Sequence, residues 1–126
     1  MKVEYRDGLL FTTLELMHDG GRKIIENIVI DTGASHTVIS QDCVDDIGIK
    51  FTGKEEIITT YGIGGKEHAF IKEIDGIILG DLILEKYELD ITGYISDDIN
   101  GLLGLDILIK GGFIIDLNEL AIYREK

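Results

Sequence analysis

Proline is absent from this chain of 126 residues, and cysteine occurs only once. Without proline, the 16 glycines must supply the unusual backbone angles that tight turns require. The single cysteine, Cys43, excludes an internal disulfide and any zinc cluster that is built from several cysteines. It lies in the apolar and acidic segment SQDCVDDIGI, which favours a buried structural thiol over a nucleophile.

Basic residues and long apolar runs are also scarce. The 12 lysines and arginines are outnumbered by 24 aspartates and glutamates, which gives a net charge of -12. This charge would repel a phosphate backbone, so we expect no nucleic-acid partner and interpret the acidity as a solvated surface. No apolar run has membrane-spanning length, and the N-terminal sequence MKVEYRDG lacks the apolar region of a signal peptide. We therefore expect no membrane partner and a cytoplasmic location.

Strand patterns dominate what is present. Residues 9–20, LLFTTLELMHDG, are rich in strand formers and end in turn residues. Residues 86–92, KYELDIT, alternate between apolar and polar side chains, as a strand with one buried face does. The polar face of that strand is predicted to carry Lys86, Glu88 and Asp90. Residues 113–123, FIIDLNELAIY, predict a terminal hairpin whose turn includes Asn118.

Helix signals are few and short. One helix is predicted to follow Ser40, which is a plausible N-cap, and to stop near Gly48. A second helix is predicted to end at Gly111-Gly112. Its apolar face is predicted to carry Leu105, Leu108 and Ile109, at the spacing i, i+3, i+4. The chain is therefore expected to form one mostly-β domain over residues 1–126.

The most informative stretch is IENIVIDTGASHTVIS, residues 25–40. Three apolar residues, 28–30, run directly into Asp31-Thr32-Gly33-Ala34-Ser35. Asp and Gly are common in turns, so an ordinary turn is one interpretation. A reactive acid held at the end of a rigid strand is the other, because such a position fixes a catalytic group well. The D-T-G tripeptide does not by itself decide between them.

Two further stretches bear on that choice. Residues 59–70, TTYGIGGKEHAF, predict a hairpin with a glycine-rich tip at residues 62–65, which is either a surface hairpin or one that approaches a ligand closely. A phosphate-binding loop is a poor alternative, because the Walker A pattern needs a glycine where Thr60 stands. Residues 100–108, NGLLGLDIL, predict a buried strand that turns at Gly104 into the second helix.

These three motifs, in this order, resemble those of the retropepsin family of aspartic peptidases, and the resemblance spans nearly the whole chain. It implies a mostly-β fold, a closed or partly open acid-protease β-barrel with one or two short helices. Viral members commonly place an aspartate directly after D-T-G-A and pair it with an arginine that follows the later glycine. In this chain those two places hold Ser35 and Leu105, so both members of that pair are absent together.

The resemblance also implies an activity: aspartic endopeptidase, with a polypeptide as substrate and with Asp31 as the catalytic acid. Because the chain holds a single D-T-G, the second carboxylate is expected from a second copy, in a homodimer. Thr32 and Gly33 are expected to support the site. Residues expected to contact the substrate are Ala34, Ser35, Tyr61, Gly62, Ile63 and Gly64.

Neither a cofactor nor a metal is expected. The three histidines, His18, His36 and His68, are scattered along the sequence, and no metal-binding spacing is present. One alternative function stays open at this point. It is a catalytically silent retropepsin-like fold that binds peptides without cutting them or dimerises a larger assembly.

Overall fold

A computed structural model describes residues 1–62, 65–93, 95–96 and 98–125. The strands in order are β1 (Glu4–Arg6), β2 (Leu9–His18), β3 (Gly21–Ile30), β4 (Val38–Ser40), β5 (Ile57–Gly62), β6 (Gly65–Leu79), β7 (Leu82–Thr92), β8 (Gly101–Leu103), β9 (Phe113–Asp116) and β10 (Ala121–Arg124). A single α-helix, α1 (Leu105–Gly111), occurs in the described part of the chain, and two 3-10 turns, Gln41–Cys43 and Asp45–Ile47, follow β4.

Eight of the strands form one sheet whose ends meet. Their order is β1-β2-β3-β8-β4-β7-β6-β5, and a further antiparallel pairing joins β2 to β6. This pairing closes six strands into a ring, with β1 and β5 as outer edges. Two pairs in the ring, β3 with β8 and β4 with β7, are parallel, and the other pairs are antiparallel. The fold is thus mostly β, as predicted, and we describe it as a ring of strands rather than as a regular barrel.

The hydrophobic core fills the inside of this ring. Alternate residues of the long strands point inward, because side chains on a strand point to opposite faces in turn. Burying each large aliphatic side chain contributes about 1.5–3 kcal/mol. The largest fully buried side chains are Leu16, Ile25, Ile28, Ile39, Ile49, Ile74, Ile77, Leu79, Leu89, Ile91, Leu103 and Ile107.

Strand β7 keeps the predicted alternation of exposure as far as Leu89, and residues 89–92 are all buried. Lys86 and Glu88 are exposed, as expected, but Asp90 is buried. At Asp90, β7 is flanked on both sides, by Val38 of β4 and Ile71 of β6, and the charges of His36 and Asp106 act on the Asp90 carboxyl group. The polar face of β7 is therefore exposed at Lys86 and Glu88 but covered by other parts of the chain at Asp90.

The segment after Ser40 differs from the predicted helix. It forms two three-residue 3-10 turns, and the Ser40 side chain makes no capping hydrogen bond. Val44 interrupts the two turns, because it is fully buried and has a non-helical backbone with φ -127 and ψ 0. The predicted stop is confirmed, since Gly48 ends the second turn in the left-handed conformation with φ 84.

Helix α1 occurs where it was predicted and ends at Gly112, which has φ 61. Of the predicted apolar face, Leu108 is buried and Leu105 is half-buried, but the prediction for Ile109 was wrong: it is 72% exposed, and the buried helix residues are Ile107, Leu108 and Gly111. Gly111 lies against the ring of Phe113, and a Cβ placed there would meet that ring at 2.5 Å. The helix therefore turns its Gly111 side toward the terminal hairpin. No helix among the described residues is long and apolar enough to cross a membrane.

The terminal hairpin is confirmed, with β9 and β10 paired and Asn118 in the turn. One carboxylate oxygen of Asp116 accepts hydrogen bonds from the backbone N–H groups of Asn118 and Glu119, at 3.0 and 2.9 Å. The N-terminal residues extend this small sheet, since the Val3 N–H donates to the Leu120 carbonyl at 2.9 Å. Both ends of the described chain therefore lie together.

Candidate active site

Residues 31–37 form a loop that crosses over the end of a strand. Strands β3 and β4 follow one another in the chain, but β8 lies between them in the sheet, parallel to β3 and antiparallel to β4. The loop must therefore pass over the carboxyl end of β8. The Asp31 N–H donates to the Leu103 carbonyl at 2.9 Å, and the Leu105 N–H donates to the Ala34 carbonyl at 2.8 Å. Asp31 is thus held at the point where three strands meet.

The Asp31 carboxylate is oriented by its own loop. Its Oδ1 accepts a hydrogen bond from the Gly33 N–H at 2.9 Å, and the Ala34 N–H donates to the Asp31 backbone carbonyl at 3.1 Å. This is the short turn that aspartate side chains commonly form. A Cβ at residue 33 would lie 3.2 Å from Asp31 Oδ1, so glycine gives the carboxylate its room. Oδ2 makes no hydrogen bond within the described residues.

Gly104 is required where the loop meets β8. A Cβ at this residue would lie 2.7 and 2.8 Å from the His36 carbonyl carbon and oxygen, and 2.9 Å from the Ala34 carbonyl oxygen. These are backbone atoms that cannot move away singly, so a side chain does not fit. The Gly104 N–H also donates to Thr37 Oγ1 at 3.0 Å, within the buried part of the loop. The Leu-Leu-Gly motif thus brings the strand end and the loop into direct contact.

The far end of the loop is fixed by a carboxylate that the sequence did not single out. Asp106, in α1, accepts hydrogen bonds at Oδ1 from the Thr37 N–H at 2.9 Å and from the Thr37 hydroxyl at 2.7 Å. Its Oδ2 accepts a third from the Tyr87 hydroxyl at 2.6 Å. Burial, together with this bond to Asp106, raises the pKa of Tyr87 above its ordinary value. This cluster of Thr37, Tyr87 and Asp106 ties the loop to helix α1 and strand β7.

A second acid lies behind the loop. Asp90 is buried, and burial raises the pKa of its carboxyl group, with the negative charge of Asp106 adding to the effect and His36 opposing it. His36 itself is exposed and contacts the Ser35 hydroxyl through Nδ1, at 3.2 Å.

Removal of the Asp106 carboxylate should destabilise the loop strongly. We expect Asp106→Ala to lower the free energy of unfolding by about 2–4 kcal/mol, because the buried N–H and hydroxyl of Thr37 and the half-buried hydroxyl of Tyr87 lose a charged acceptor. The matched variant Asp106→Asn keeps one acceptor oxygen for Thr37 and should cost only about 1 kcal/mol. Urea unfolding of both variants measures the difference. Equal losses in the two would show that these hydrogen bonds do not hold the loop.

The structure places the predicted site residues in two groups. The first group lies on the loop of residues 31–37 and consists of Asp31, Thr32, Gly33, Ala34 and Ser35. Asp31 and Ala34 are half-buried, and the other three are exposed. The predicted hairpin is formed by β5 and β6, which pair as far as Gly62 with Gly65 and include Tyr61 opposite Lys66. Ile63 and Gly64, at its tip, lie outside the described residues.

Neither of two surface hollows is lined by the Asp31 loop. The larger, about 570 Å³, lies among β1, β2, β3 and the turn of the terminal hairpin, and the smaller, about 210 Å³, lies at the base of the β5–β6 hairpin. With Thr32, Gly33 and Ser35 exposed, the surface around Asp31 in a single chain is open. Cys43 is remote from this chemistry: it is half-buried, and burial raises the pKa of its thiol, which disfavours the reactive thiolate.

Comparisons with known proteins agree with the resemblance in the sequence. A family model described as "Aspartyl protease" matches residues 15–107. The crystal structure of a retropepsin-like aspartic protease from Rickettsia conorii is similar, with a TM-score of 0.64 and 21% identity over 91% of this chain and 82% of that one.

The retroviral protease-like domain of Ddi1 from Leishmania major is also similar, with a TM-score of 0.63 and 13% identity over 94% of this chain and 89% of that one. No curated protein matches the chain. These likenesses show that the fold is retropepsin-like, as the sequence predicted.

Proposed function

The chain belongs to the aspartyl protease family, and from that premise we propose that it is an endopeptidase whose catalytic pair is formed by Asp31 from each of two chains. The observation that carries this proposal is the setting of Asp31. Its backbone is held at the end of β3 by Leu103, its Oδ1 is oriented by the Gly33 N–H, and its Oδ2 makes no hydrogen bond within the described residues. Such a carboxylate is fixed in direction and still available to a water or a peptide.

The second acid of the pair must come from elsewhere. Two other carboxylates lie near the loop, but Asp106 already accepts three hydrogen bonds and Asp90 is buried behind the loop. A two-fold axis that passes beside the exposed Thr32 and Gly33 would place the same Asp31 on both sides. A homodimer therefore supplies what one D-T-G per chain cannot.

Two carboxylates in close contact cannot both ionise at low cost, so the pair shares one proton and titrates as a unit. The ionised member takes a proton from a bound water, and the water oxygen attacks the carbonyl carbon of the peptide bond. The protonated member donates a hydrogen bond to the carbonyl oxygen as negative charge develops there. Proton transfer to the amide nitrogen then allows the C–N bond to break.

Neighbouring residues have supporting roles in this proposal. Thr32 would hydrogen-bond across the axis, and Gly33 would leave space for the substrate backbone beside Asp31. Ala34 and Ser35 would contact the peptide from the loop. The tip of the β5–β6 hairpin, with Tyr61, Gly62, Ile63 and Gly64, would close over the peptide and exclude water.

Cleavage of a peptide library tests the proposal. A mixture of peptides of diverse sequence is incubated with the purified dimer at mildly acidic pH, with and without pepstatin, and the products are identified by mass spectrometry. We expect new termini that pepstatin suppresses and that the Asp31→Asn variant does not produce. A confirmed dimer that gives neither cleavage nor pepstatin binding would contradict the endopeptidase and favour the silent peptide-binding module.

A further inference from the structure

Three potential metal ligands lie together at the end of the molecule where β2 turns into β3. His18 is the last residue of β2, and Asp19 is the first residue of the turn. Strand β6 pairs with β2 next to this point, with Met17 opposite Gly76, and this pairing brings Asp75 alongside. One ligand atom from each of His18, Asp19 and Asp75 can be chosen so that all three lie within 4.8 Å of one another.

The imidazole of His18 is buried without a hydrogen bond. The residue is only 8% exposed, and its Nδ1 is buried with no partner among the described residues. Its Nε2 faces Asp19 Oδ2 at 3.6 Å, which is beyond hydrogen-bonding distance. Buried polar groups are normally satisfied, because burying one without a partner costs free energy. The buried ring therefore has one nitrogen, Nδ1, without a partner and the other, Nε2, facing a carboxylate with which it makes no hydrogen bond.

Backbone contacts and the backbone conformation of the turn position the carboxylates of Asp19 and Asp75. Asp75 Oδ2 accepts a hydrogen bond from the Asp19 N–H at 2.9 Å, which leaves Oδ1 for another ligand. Asp19 and Gly20 both have positive φ, 49 and 79, as in the tight two-residue turn that best fits the twist of a hairpin. The Asp19 side chain is 75% exposed, so it can rotate toward an ion at little cost.

We propose that His18, Asp19 and Asp75 bind one divalent transition-metal ion of the zinc class. Zinc accepts imidazole nitrogen and carboxylate oxygen at about 2.0–2.2 Å in a tetrahedron, so its ligand atoms lie roughly 3.3–3.6 Å apart. The spacing of Nε2 and Asp19 Oδ2 already matches this value, and rotation of the exposed carboxylate provides the remaining adjustment. Water fills the fourth position. Magnesium and calcium prefer oxygen ligands alone, so the histidine selects against them.

The ion would link the β2–β3 turn to β6 and would act on stability rather than on peptide cleavage. Strand β3 has ten residues and runs from Gly21 at this turn to Ile30 beside Asp31. At about 3.3 Å per residue, the two sites are roughly 30 Å apart along the strand. An ion that binds the folded chain and not the unfolded one raises the melting temperature by mass action.

The test is calorimetric titration of the metal-free protein with zinc chloride at pH 7, paired with thermal melting. We expect one zinc per chain, and a rise in melting temperature of about 5–10 °C at a hundredfold excess over the dissociation constant. Magnesium chloride at the same concentration should give no such rise. Absence of one-to-one zinc binding, or an equal response to magnesium, would overturn the proposal.

Single substitutions test which residues bind the ion. Asp75→Asn retains an acceptor for the Asp19 N–H, so it should fold, yet its zinc affinity should fall at least about tenfold. Asp42→Asn removes one charge from an exposed acid outside the cluster and should bind zinc like the unchanged chain. If both variants bind equally well, the ion is held elsewhere and the assignment is wrong. Asp31→Asn should also bind zinc normally, which separates this proposal from that of the peptidase.

Discussion

Asp31→Asn is expected to reduce kcat/KM for peptide cleavage by about a thousandfold or more while the chain stays folded. An amide cannot take a proton from water, and a pair of amides has no shared proton to give. The fold should survive, because asparagine retains an oxygen that accepts the Gly33 N–H, and the backbone bond from Asp31 to Leu103 does not involve the side chain.

The measurement compares initial rates at equal dimer concentration, with the dimer checked by sedimentation. Asp42→Asn, which removes the same charge from an exposed position, is the matched control and should keep the full rate. The melting temperatures of both variants should lie close to that of the unchanged chain. Turnover that persists in cleanly purified Asp31→Asn dimers would exclude Asp31 as the catalytic acid.

Local patterns predicted most of the strands. The alternation in residues 86–92, the strand formers in residues 9–20 and the turn around Asn118 all correspond to elements of the structure. Each of these signals depends only on residues that are close together in the sequence, so the sequence alone is enough to predict the element. The glycine ends of the two helical segments, at Gly48 and Gly112, were predictable for the same reason, since their left-handed backbones favour glycine.

Errors occurred where distant elements decide the outcome. Asp90 is buried where β4 lies beside β7 and where His36 and Asp106 approach, neither of which the periodicity of β7 can reveal. Ile109 is exposed because helix α1 packs through Gly111 against Phe113, whereas spacing alone favoured the larger side chain. The interrupted helix after Ser40 reflects the burial of Val44 in the core, which local propensity does not include.

The residues of the candidate site also divide into those that the sequence predicted and those that it did not. The loop of Asp31 was recognisable because its residues are contiguous and carry a motif. The cluster of Thr37, Tyr87 and Asp106 was not recognisable from the sequence. Thr37 and Asp106 are 69 positions apart, and the alternating pattern of its strand predicts that Tyr87 belongs to the core. Asp19 and Asp75, 56 positions apart, meet only because β2 pairs with β6. Pairing between strands that are distant in the sequence brings such residues together.

The second large effect concerns mixed dimers. A dimer of one unchanged chain and one Asp31→Asn chain holds a single ionisable acid in its site. That acid can serve as the base when ionised or as the proton donor when protonated, but it cannot do both in one turnover. We therefore expect the mixed dimer to have almost no activity. Random exchange of equal amounts leaves about a quarter of the dimers with two unchanged chains.

The most direct test of a shared site is the rate of peptide cleavage against the fraction of Asp31→Asn chains. Total protein is held constant, well above the dimer dissociation constant, and the chains are allowed to exchange fully before assay. The shared pair predicts a quadratic fall, to about a quarter of the starting rate at equal amounts. A straight line, with about half the rate remaining at equal amounts, would mean that each chain carries its own complete site and would contradict the account.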